Sequence, residues 1–248
     1  MHIERIVYPK LGIIDEIEVA EEVMEMKNSS LVSYTKISPN KTSPRNHVID
    51  TITIHCAAGQ CTAAGLGDWF SKPSTKASSN YGVDTHGRIG MYVEEGDRSW
   101  CTSNGANDNR AITIEVASDT KHPYAVNGAA YKALIDLVTD ICKRNGIKKL
   151  IWSNKKEDRV NHKNGCNMTV HRDYANKDCP GKYLYDRHPE IVAEVNKRLG
   201  NKEESKTLYR VQLGAYSVKG NAEKMLAKAK AAGFTDAIIT TTKVAPSK

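Results

Sequence analysis

The segment 50–55 alternates between apolar and polar side chains. Ile52 and Ile54 fall on one face of the segment, whereas Thr51, Thr53 and His55 fall on the other. This period-two pattern predicts a half-buried β-strand. His55 therefore points from the polar face at the end of the strand.

A second predicted strand, over residues 111–117, repeats this pattern. Ile112, Ile114 and Val116 share one face, and Thr113 and Glu115 share the other. A glutamate in the middle of a strand is costly to bury unless it is paired or hydrogen-bonded. Glu115 is thus either the partner of a buried cation or a carboxylate with a chemical role.

Helical periodicity is clearest over residues 127–145 and 183–199. Asn127 is the expected N-cap of the first of these helices, and Asn145-Gly146 is its expected stop. Shorter elements are predicted as a helix over 62–70 and strands over 88–93 and 149–152, followed by a polar loop over 153–168. The pattern predicts an α/β fold with a mixed central β-sheet flanked by helices.

The chain divides into four predicted parts: an N-terminal extension with an acidic, helix-like run at 13–26 (1–30), a main domain (31–200), a charged linker (201–206) and a small module (207–248). The module is predicted as a strand (209–216), a helix (221–232) and a second strand (236–242). So small a unit hardly buries a core of its own. It therefore docks on the main domain, pairs with another copy in a homodimer, or stays partly disordered.

Composition and charge narrow the range of partners. The net charge is +7, and residues 201–248 supply +5 of it through nine Lys or Arg against four Asp or Glu. This balance favours anionic partners, and its sign alone does not choose among nucleic acid, an anionic wall polymer and anionic lipid. Aromatic residues are few and the cations are scattered, which argues against nucleic acid. Neither a membrane-spanning run nor a secretory signal is visible, so we expect synthesis in the cytoplasm and no membrane partner.

A metal site is predicted around residues 169–181. His171 and Cys179 are eight residues apart, with Lys177 between them and a Pro-Gly turn after them. Imidazole and thiolate are zinc ligands, a catalytic zinc site has three protein ligands and an open position for water, and His55 is the best candidate for the third ligand. His162 and Cys166 form a less favoured rival pair with His171.

The six cysteines do not form a dense disulfide framework in a chain of this size. If Cys179 is a ligand, five remain and at least one is unpaired, so a reduced state is expected. Cys56 and Cys61 lie close to His55 in a pattern that superficially suggests a zinc knuckle. They lack a second ligand pair, and small core cysteines are the preferred interpretation.

Four segments together resemble the zinc-dependent N-acetylmuramoyl-L-alanine amidases of type 2, a family that includes phage endolysins and is related to peptidoglycan recognition proteins. They are Thr51–Cys56, Ser78–Gly82, Ala111–Val116 and His171–Gly181. The resemblance covers roughly residues 31–200. It implies a peptidoglycan hydrolase, acting outside the cytoplasm, that cleaves the amide between N-acetylmuramic acid and L-alanine.

The resemblance also implies residue roles. Zn²⁺ is held by His55, His171 and Cys179. Glu115 matches a carboxylate that acts as general base or instead orients a ligand histidine. Lys177 matches a lysine that stabilises the tetrahedral oxyanion, and Tyr81 matches a tyrosine that lies over the metal.

The C-terminal module carries a resemblance of its own. Residues 210–216, Arg-Val-Gln-Leu-Gly-Ala-Tyr, resemble the first half of a SPOR-type peptidoglycan-binding domain.

Two other functions are compatible with the pattern. The first is a peptidoglycan-recognition protein that binds without cleaving, although Cys179 argues against it. The second is a nucleic-acid or wall-polymer binder with a structural metal. That function requires a fourth protein ligand, for which Cys56 and Cys166 are the candidates.

Overall fold

The computed structural model describes residues 28–201 and 214–241. The chain divides into two compact units, 1–203 and 204–248. Within the described ranges, no helix is long and apolar enough to cross a membrane. The acidic run predicted at 13–26 lies outside the described residues.

The first unit is built on a six-stranded mixed sheet and a two-stranded ribbon. The sheet has the order β1-β5-β4-β7-β3-β8, the ribbon pairs β2 with β6, and only the β4–β5 pair of the large sheet is antiparallel. The strands are β1 (Val32–Thr35), β2 (Lys41–Thr42), β3 (Thr51–Cys56), β4 (Tyr81–Val83), β5 (Ile89–Met91), β6 (Arg98–Ser99), β7 (Ala111–Val116) and β8 (Met168–Thr169).

Helices connect these strands and cover the sheet. They are α1 (Ala63–Phe70), α2 (Gly105–Arg110), α3 (Gly128–Arg144), α4 (Lys156–Val160) and α5 (Gly181–Arg198). Short 3-10 turns lie at Pro73–Thr75, Lys163–Gly165 and His171–Asp173. The Asn127 side chain caps α3, accepting a hydrogen bond from the Ala130 amide at 2.9 Å. The predicted mixed α/β fold is confirmed.

The main core lies between the sheet and the helices α3 and α5. Ile54 of β3 and Ile114 of β7 are fully buried there, together with Leu134 and Leu137 of α3 and Ile191 of α5. These are the apolar positions that the two sequence patterns place on one strand face and one helix face. Their burial removes apolar surface from water, which is the main driving force for folding.

The opposite face of the sheet is also covered, so the expectation of a half-buried strand is wrong for β3. Thr51, Thr53 and His55 are as fully buried as Ile54. Burial of the polar face is compensated by hydrogen bonds, among them a 2.7 Å contact between the hydroxyls of Thr53 and Thr169. β3 lies between two other strands, which the alternation alone does not reveal.

Helix α1 packs on this second face at Gly82 of β4. A Cβ atom added to Gly82 would lie 2.7 Å from Leu66 and 2.8 Å from Tyr92. Only glycine permits this approach between helix and sheet. Leu66, Phe70 and Tyr92 form a second, smaller apolar cluster there.

Two local predictions between α3 and α5 are wrong. Residues 149–152 are not a strand, because backbone groups of Leu150 bond to the amide side chain of Asn196 and the Ile151 amide bonds to Asn167. The expected polar loop at 153–168 instead contains α4 and a 3-10 turn.

In the second unit the structure describes one helix, α6 (Lys219–Ala231), which matches the helix predicted at 221–232. Residues 236–241 form no strand, contrary to expectation. Most of the strand predicted at 209–216 lies outside the described residues.

Candidate functional site

The structure brings His55, His171 and Cys179 together. One side-chain nitrogen or sulfur atom from each lies within 4.8 Å of the others. The Sγ atom of Cys179 is 3.3 Å from Nδ1 of His55, and the two imidazole rings have centroids 5.1 Å apart. Residues separated by more than one hundred positions in the sequence thus form one cluster.

Neighbouring parallel strands place His55 and Glu115 side by side. In the β3–β7 register His55 pairs with Glu115 and Ile54 pairs with Ile114, so paired residues share a face. The Oε1 atom of Glu115 is 3.9 Å from Nδ1 of His55. The structure therefore places His55 and Glu115 on the same face of the sheet, as the alternation of apolar and polar residues in the two strands indicates.

A buried ion pair holds the 3-10 turn that carries His171. Arg159 of α4 donates to both carboxylate oxygens of Asp173, at 2.7 and 2.6 Å. Arg159 also donates to the Ser153 carbonyl at 2.7 Å and lies over the Trp152 ring. Because both partners are nearly inaccessible to solvent, the bidentate geometry fixes the turn two residues after His171.

Arg172 joins this turn to the other end of the loop from His171 to Cys179, which we call the ligand loop after its two candidate metal ligands. Its backbone amide donates to the Cys179 carbonyl at 3.2 Å, and its guanidinium donates to the Asp178 carbonyl. The same guanidinium reaches the Asp178 carboxylate at 3.1 Å. These bonds close the loop so that the side chains of His171 and Cys179 face the same point.

Gly181 ends the loop and begins α5. Its φ of +77° favours glycine, and an added Cβ atom would lie 2.9 Å from Tyr124 and 3.0 Å from the Pro123 carbonyl. Glycine at position 181 is therefore required by both conformation and space.

Burial changes the acid–base properties of the cluster. It lowers the pKa of His55 to about 3, with a smaller contribution from His171, and it raises the pKa of Glu115 to about 7. Burial and the charge of Lys177 lower the pKa of His171. A hydrogen bond with Cys56, together with burial, raises the pKa of the Cys179 thiol. The imidazoles are therefore neutral, the state in which they bind metals.

Two atoms at this site, Nε2 of His55 and Oε2 of the neighbouring Glu115, are buried without a hydrogen-bond partner among the described residues. Buried polar groups are normally satisfied, so such atoms require an explanation such as an ion or water. Two imidazoles and one thiol are also a donor set that zinc accepts. The cluster therefore fits a zinc ion.

An open cleft of about 410 Å³ leads to the cluster and is lined by Glu115 and His171. Leu66, Trp69 and Trp100 contribute to its apolar walls, and both tryptophans are substantially exposed. Aromatic walls with a few polar groups are typical of ligand-binding clefts. Nothing in the sequence pattern distinguishes these two tryptophans from packing residues.

Lys177 lies on the loop between the two ligands and its side chain is exposed. Its ammonium is near enough to His171 for its charge to lower the pKa of that imidazole. It does not line the cleft that contains Glu115.

The structure does not bring Tyr81 to the cluster. Tyr81 pairs with Ile114 and therefore lies on the core face of the sheet, opposite His55 and Glu115. Its buried hydroxyl donates to Glu95 at 2.7 Å and accepts from the Ser29 amide at 2.9 Å. The expected position of Tyr81 over a metal is incompatible with this register, because a shift of one residue moves a side chain to the other face.

Cys101 is a neighbour of the site that sequence analysis missed. Its thiol lies 3.9 Å from Oε1 of Glu115, and His55, Cys101 and Glu115 form a second group of potential ligands. Ser103 lies nearby, with its hydroxyl 3.5 Å from Nε2 of His171. Both follow β6, and their proximity depends on the folded chain.

Neither group of potential ligands among the described residues contains Cys56, Cys61, Cys142 or Cys166. All six cysteines are free thiols. Cys166 is buried and donates to the Ile151 carbonyl, so neither the rival pair with His162 nor a fourth ligand at Cys166 is supported. Cys56 and Cys61 are half-buried: each packs against an apolar core cluster, as expected, and each also lines the cleft.

Comparison with known families identifies the first unit. A family model described as N-acetylmuramoyl-L-alanine amidase matches residues 45–182, which span β3, β7 and the whole ligand loop. The chain belongs to this family. It is a peptidoglycan amidase, and the activity expected from the sequence is confirmed. A SPOR domain model matches residues 205–246, and the two domains together imply binding to peptidoglycan.

Solved structures similar to the amidase include the catalytic domain of XlyA, with 18% identity and a TM-score of 0.49 over 65% of this chain and 97% of that chain. A mutant endolysin from Bacillus subtilis has 19% identity and a TM-score of 0.49 over 65% and 97% of the two chains. The endolysin amidase LysCS from Clostridium intestinale has 17% identity and a TM-score of 0.45 over 66% and 93%. No curated protein sequence matches the amidase significantly.

Proposed function

We propose that the amidase is a zinc hydrolase whose metal is held by His55, His171 and Cys179. The observation that carries this proposal is the meeting of these three side chains beside Glu115 at the end of an open cleft. A bound zinc ion would polarise the scissile carbonyl and lower the pKa of the attacking water to about 7.

Glu115 is proposed to be the general base. It lines the cleft, lies on the same sheet face as His55, and has a carboxylate oxygen without a hydrogen-bond partner in the described part of the chain. In this role it takes the proton of the attacking water and passes it to the leaving amine of L-alanine. An alternative role, in which Glu115 only orients His55, rests on the 3.9 Å approach of their side chains.

Lys177 is proposed to stabilise the developing oxyanion. The support is its position between His171 and Cys179 in the sequence and the nearness of its charge to His171. A cation aimed at the charge that develops in the transition state contributes strongly to acyl-transfer catalysis. Tyr81 has no part in this proposal.

Digestion of purified peptidoglycan tests the bond specificity and the metal together. We expect new amino termini of L-alanine to appear with the zinc-loaded full chain and to be abolished by a chelator. Re-addition of zinc should restore them. New reducing sugar ends in place of L-alanine termini would identify a glycosidase, and release that persists after complete metal removal would refute the zinc assignment.

Arg172→Gln is expected to weaken zinc binding by about tenfold, because it removes the guanidinium bonds that join the His171 turn to Asp178. Chelator competition measures the change in zinc affinity. Arg187→Gln is the matched control, since the Arg187 guanidinium instead stacks on Tyr183. Equal zinc affinities of the two variants would contradict the bridging role of Arg172.

The SPOR-matched segment is proposed to hold the amidase on the wall. The positive charge of residues 201–248 would assist this through attraction to anionic wall polymers. Self-association through this unit stays a prediction from its small size.

A further inference from the structure

A second concavity, also of about 410 Å³, lies against the loop that joins His171 to Cys179. It is lined by Lys156, Arg172, Tyr174, Ala175, Asn176 and Lys177. Three of these residues are cationic and none is acidic. We call this concavity the basic pocket.

Two of the three cations of the basic pocket have no ion-pair partner among the described residues. Lys156 and Lys177 are exposed, and neither forms an ion pair within residues 28–201 and 214–241. Arg172 is held in place from two sides, by its bond to the Asp178 carboxylate at 3.1 Å and by its position over the Tyr185 ring at 4.7 Å. Asp178 offsets part of this charge but does not line the pocket. A net positive concavity attracts anions.

The basic pocket is close to the proposed reaction centre. One wall is the ligand loop itself, from Arg172 to Lys177. This part of the loop runs between His171 and Cys179, whose side chains meet at the candidate metal site, so the wall adjoins that site. A group bound in the pocket would therefore belong to the part of the substrate next to the scissile amide.

We propose that the basic pocket binds the free carboxylate of D-glutamate, the second residue of the peptidoglycan stem peptide. This rests on the proposed function. The stem continues through the γ-carboxyl of that residue, so its α-carboxylate is the first anionic group beyond the scissile bond. The Nη1 group of Arg172 is not among the donors that bond to Cys179 and Asp178, so it can donate to a carboxylate, and Lys156 adds a charge that is not engaged elsewhere among the described residues. In stems that carry D-isoglutamine, this carboxylate is replaced by a neutral amide.

Lys156 is the position for the test, because it lies outside the proposed catalytic machinery. Lys156→Gln is compared with Lys155→Gln, which removes the same charge from the adjacent exposed residue that does not line the pocket. The zinc-loaded full chain is assayed on two synthetic muramyl pentapeptides that differ only in D-glutamate or D-isoglutamine. We expect Lys156→Gln to raise KM for the D-glutamate substrate about three- to fivefold and to leave kcat unchanged. This is the effect expected for the loss of one exposed ion pair. KM for the amide substrate should not change, and Lys155→Gln should affect neither substrate.

Equal KM changes for both substrates, or equal effects of the two variants, would overturn the proposal. Peptidoglycan with and without its phosphate-bearing wall polymer provides the third comparison. If Lys156→Gln weakens binding only where that polymer is present, the pocket binds phosphate and the stem-peptide assignment is wrong.

Failure of the proposed function gives a different result. In that case the unmodified chain cleaves neither synthetic substrate. Calorimetry then measures how tightly the unmodified chain and the same two variants bind each of the two free stem peptides. If the unmodified chain prefers the D-glutamate peptide and Lys156→Gln removes that preference, the result would still support the carboxylate site. Absence of any preference would refute it.

Discussion

Replacing Cys179 by serine is expected to remove zinc and amidase activity together. The Sγ atom lies 3.3 Å from Nδ1 of His55, and a serine hydroxyl at this position does not ionise to give a comparable ligand. We expect zinc affinity to fall by more than about 100-fold, beyond the loss typical of groups that only support a ligand. The metal content after dialysis and the release of L-alanine termini are measured on the same preparation.

Cys166→Ser is the matched control for this experiment. Cys166 donates to the Ile151 carbonyl at 3.3 Å, a bond that a serine hydroxyl can also make, and it lies outside the ligand groups. This variant should retain stoichiometric zinc and normal turnover. Thermal unfolding of both variants separates a loss of metal from a loss of structure. Stoichiometric zinc in the Cys179→Ser protein would exclude Cys179 from the metal site.

The sequence predicts the core of the fold well because local patterns and packing agree there. The alternation in β3 and β7 identifies both faces correctly, and the helical stripe and Asn127 cap locate α3. The strand predicted at 149–152 fails for a physical reason. Its backbone groups bond to the side chains of Asn196 and Asn167, which come from distant parts of the chain. A short apolar run does not show which partner will satisfy its backbone.

The sequence predicts the site only where residue type and the alternation of side chains between the two faces of a strand determine where a side chain lies. His55 and Glu115 both fall on the polar face of their strands in the sequence pattern. Their pairing therefore follows once the two strands are parallel and in register. Tyr81 lies on the core face of its strand, away from His55 and Glu115. The face on which it lies depends on where β4 begins to pair with β7, which the sequence does not show. The contacts of Cys101 with Glu115 and of Arg159 with Asp173 join elements by tertiary packing alone. No local pattern encodes contacts of this kind.

Glu115→Gln is expected to lower the turnover rate by about 100-fold or more while zinc remains bound. Glutamine keeps the shape of the side chain and an oxygen that can accept from Cys101, but it cannot take a proton from water. The measurement is kcat on a soluble muramyl peptide, together with zinc affinity by chelator competition. Glu94→Gln, a change at an exposed carboxylate outside the cleft, should leave both quantities unchanged.

The two quantities together distinguish the roles proposed for Glu115. A general base acts only on the reaction, so its loss lowers kcat and leaves the three ligands in place. A carboxylate that orients His55 across 3.9 Å acts on the metal, so its loss lowers zinc affinity by about 10- to 100-fold, and excess zinc restores the rate. Near-normal turnover with tightly bound zinc would exclude both roles. The proton acceptor would then have to come from another group that faces the cleft.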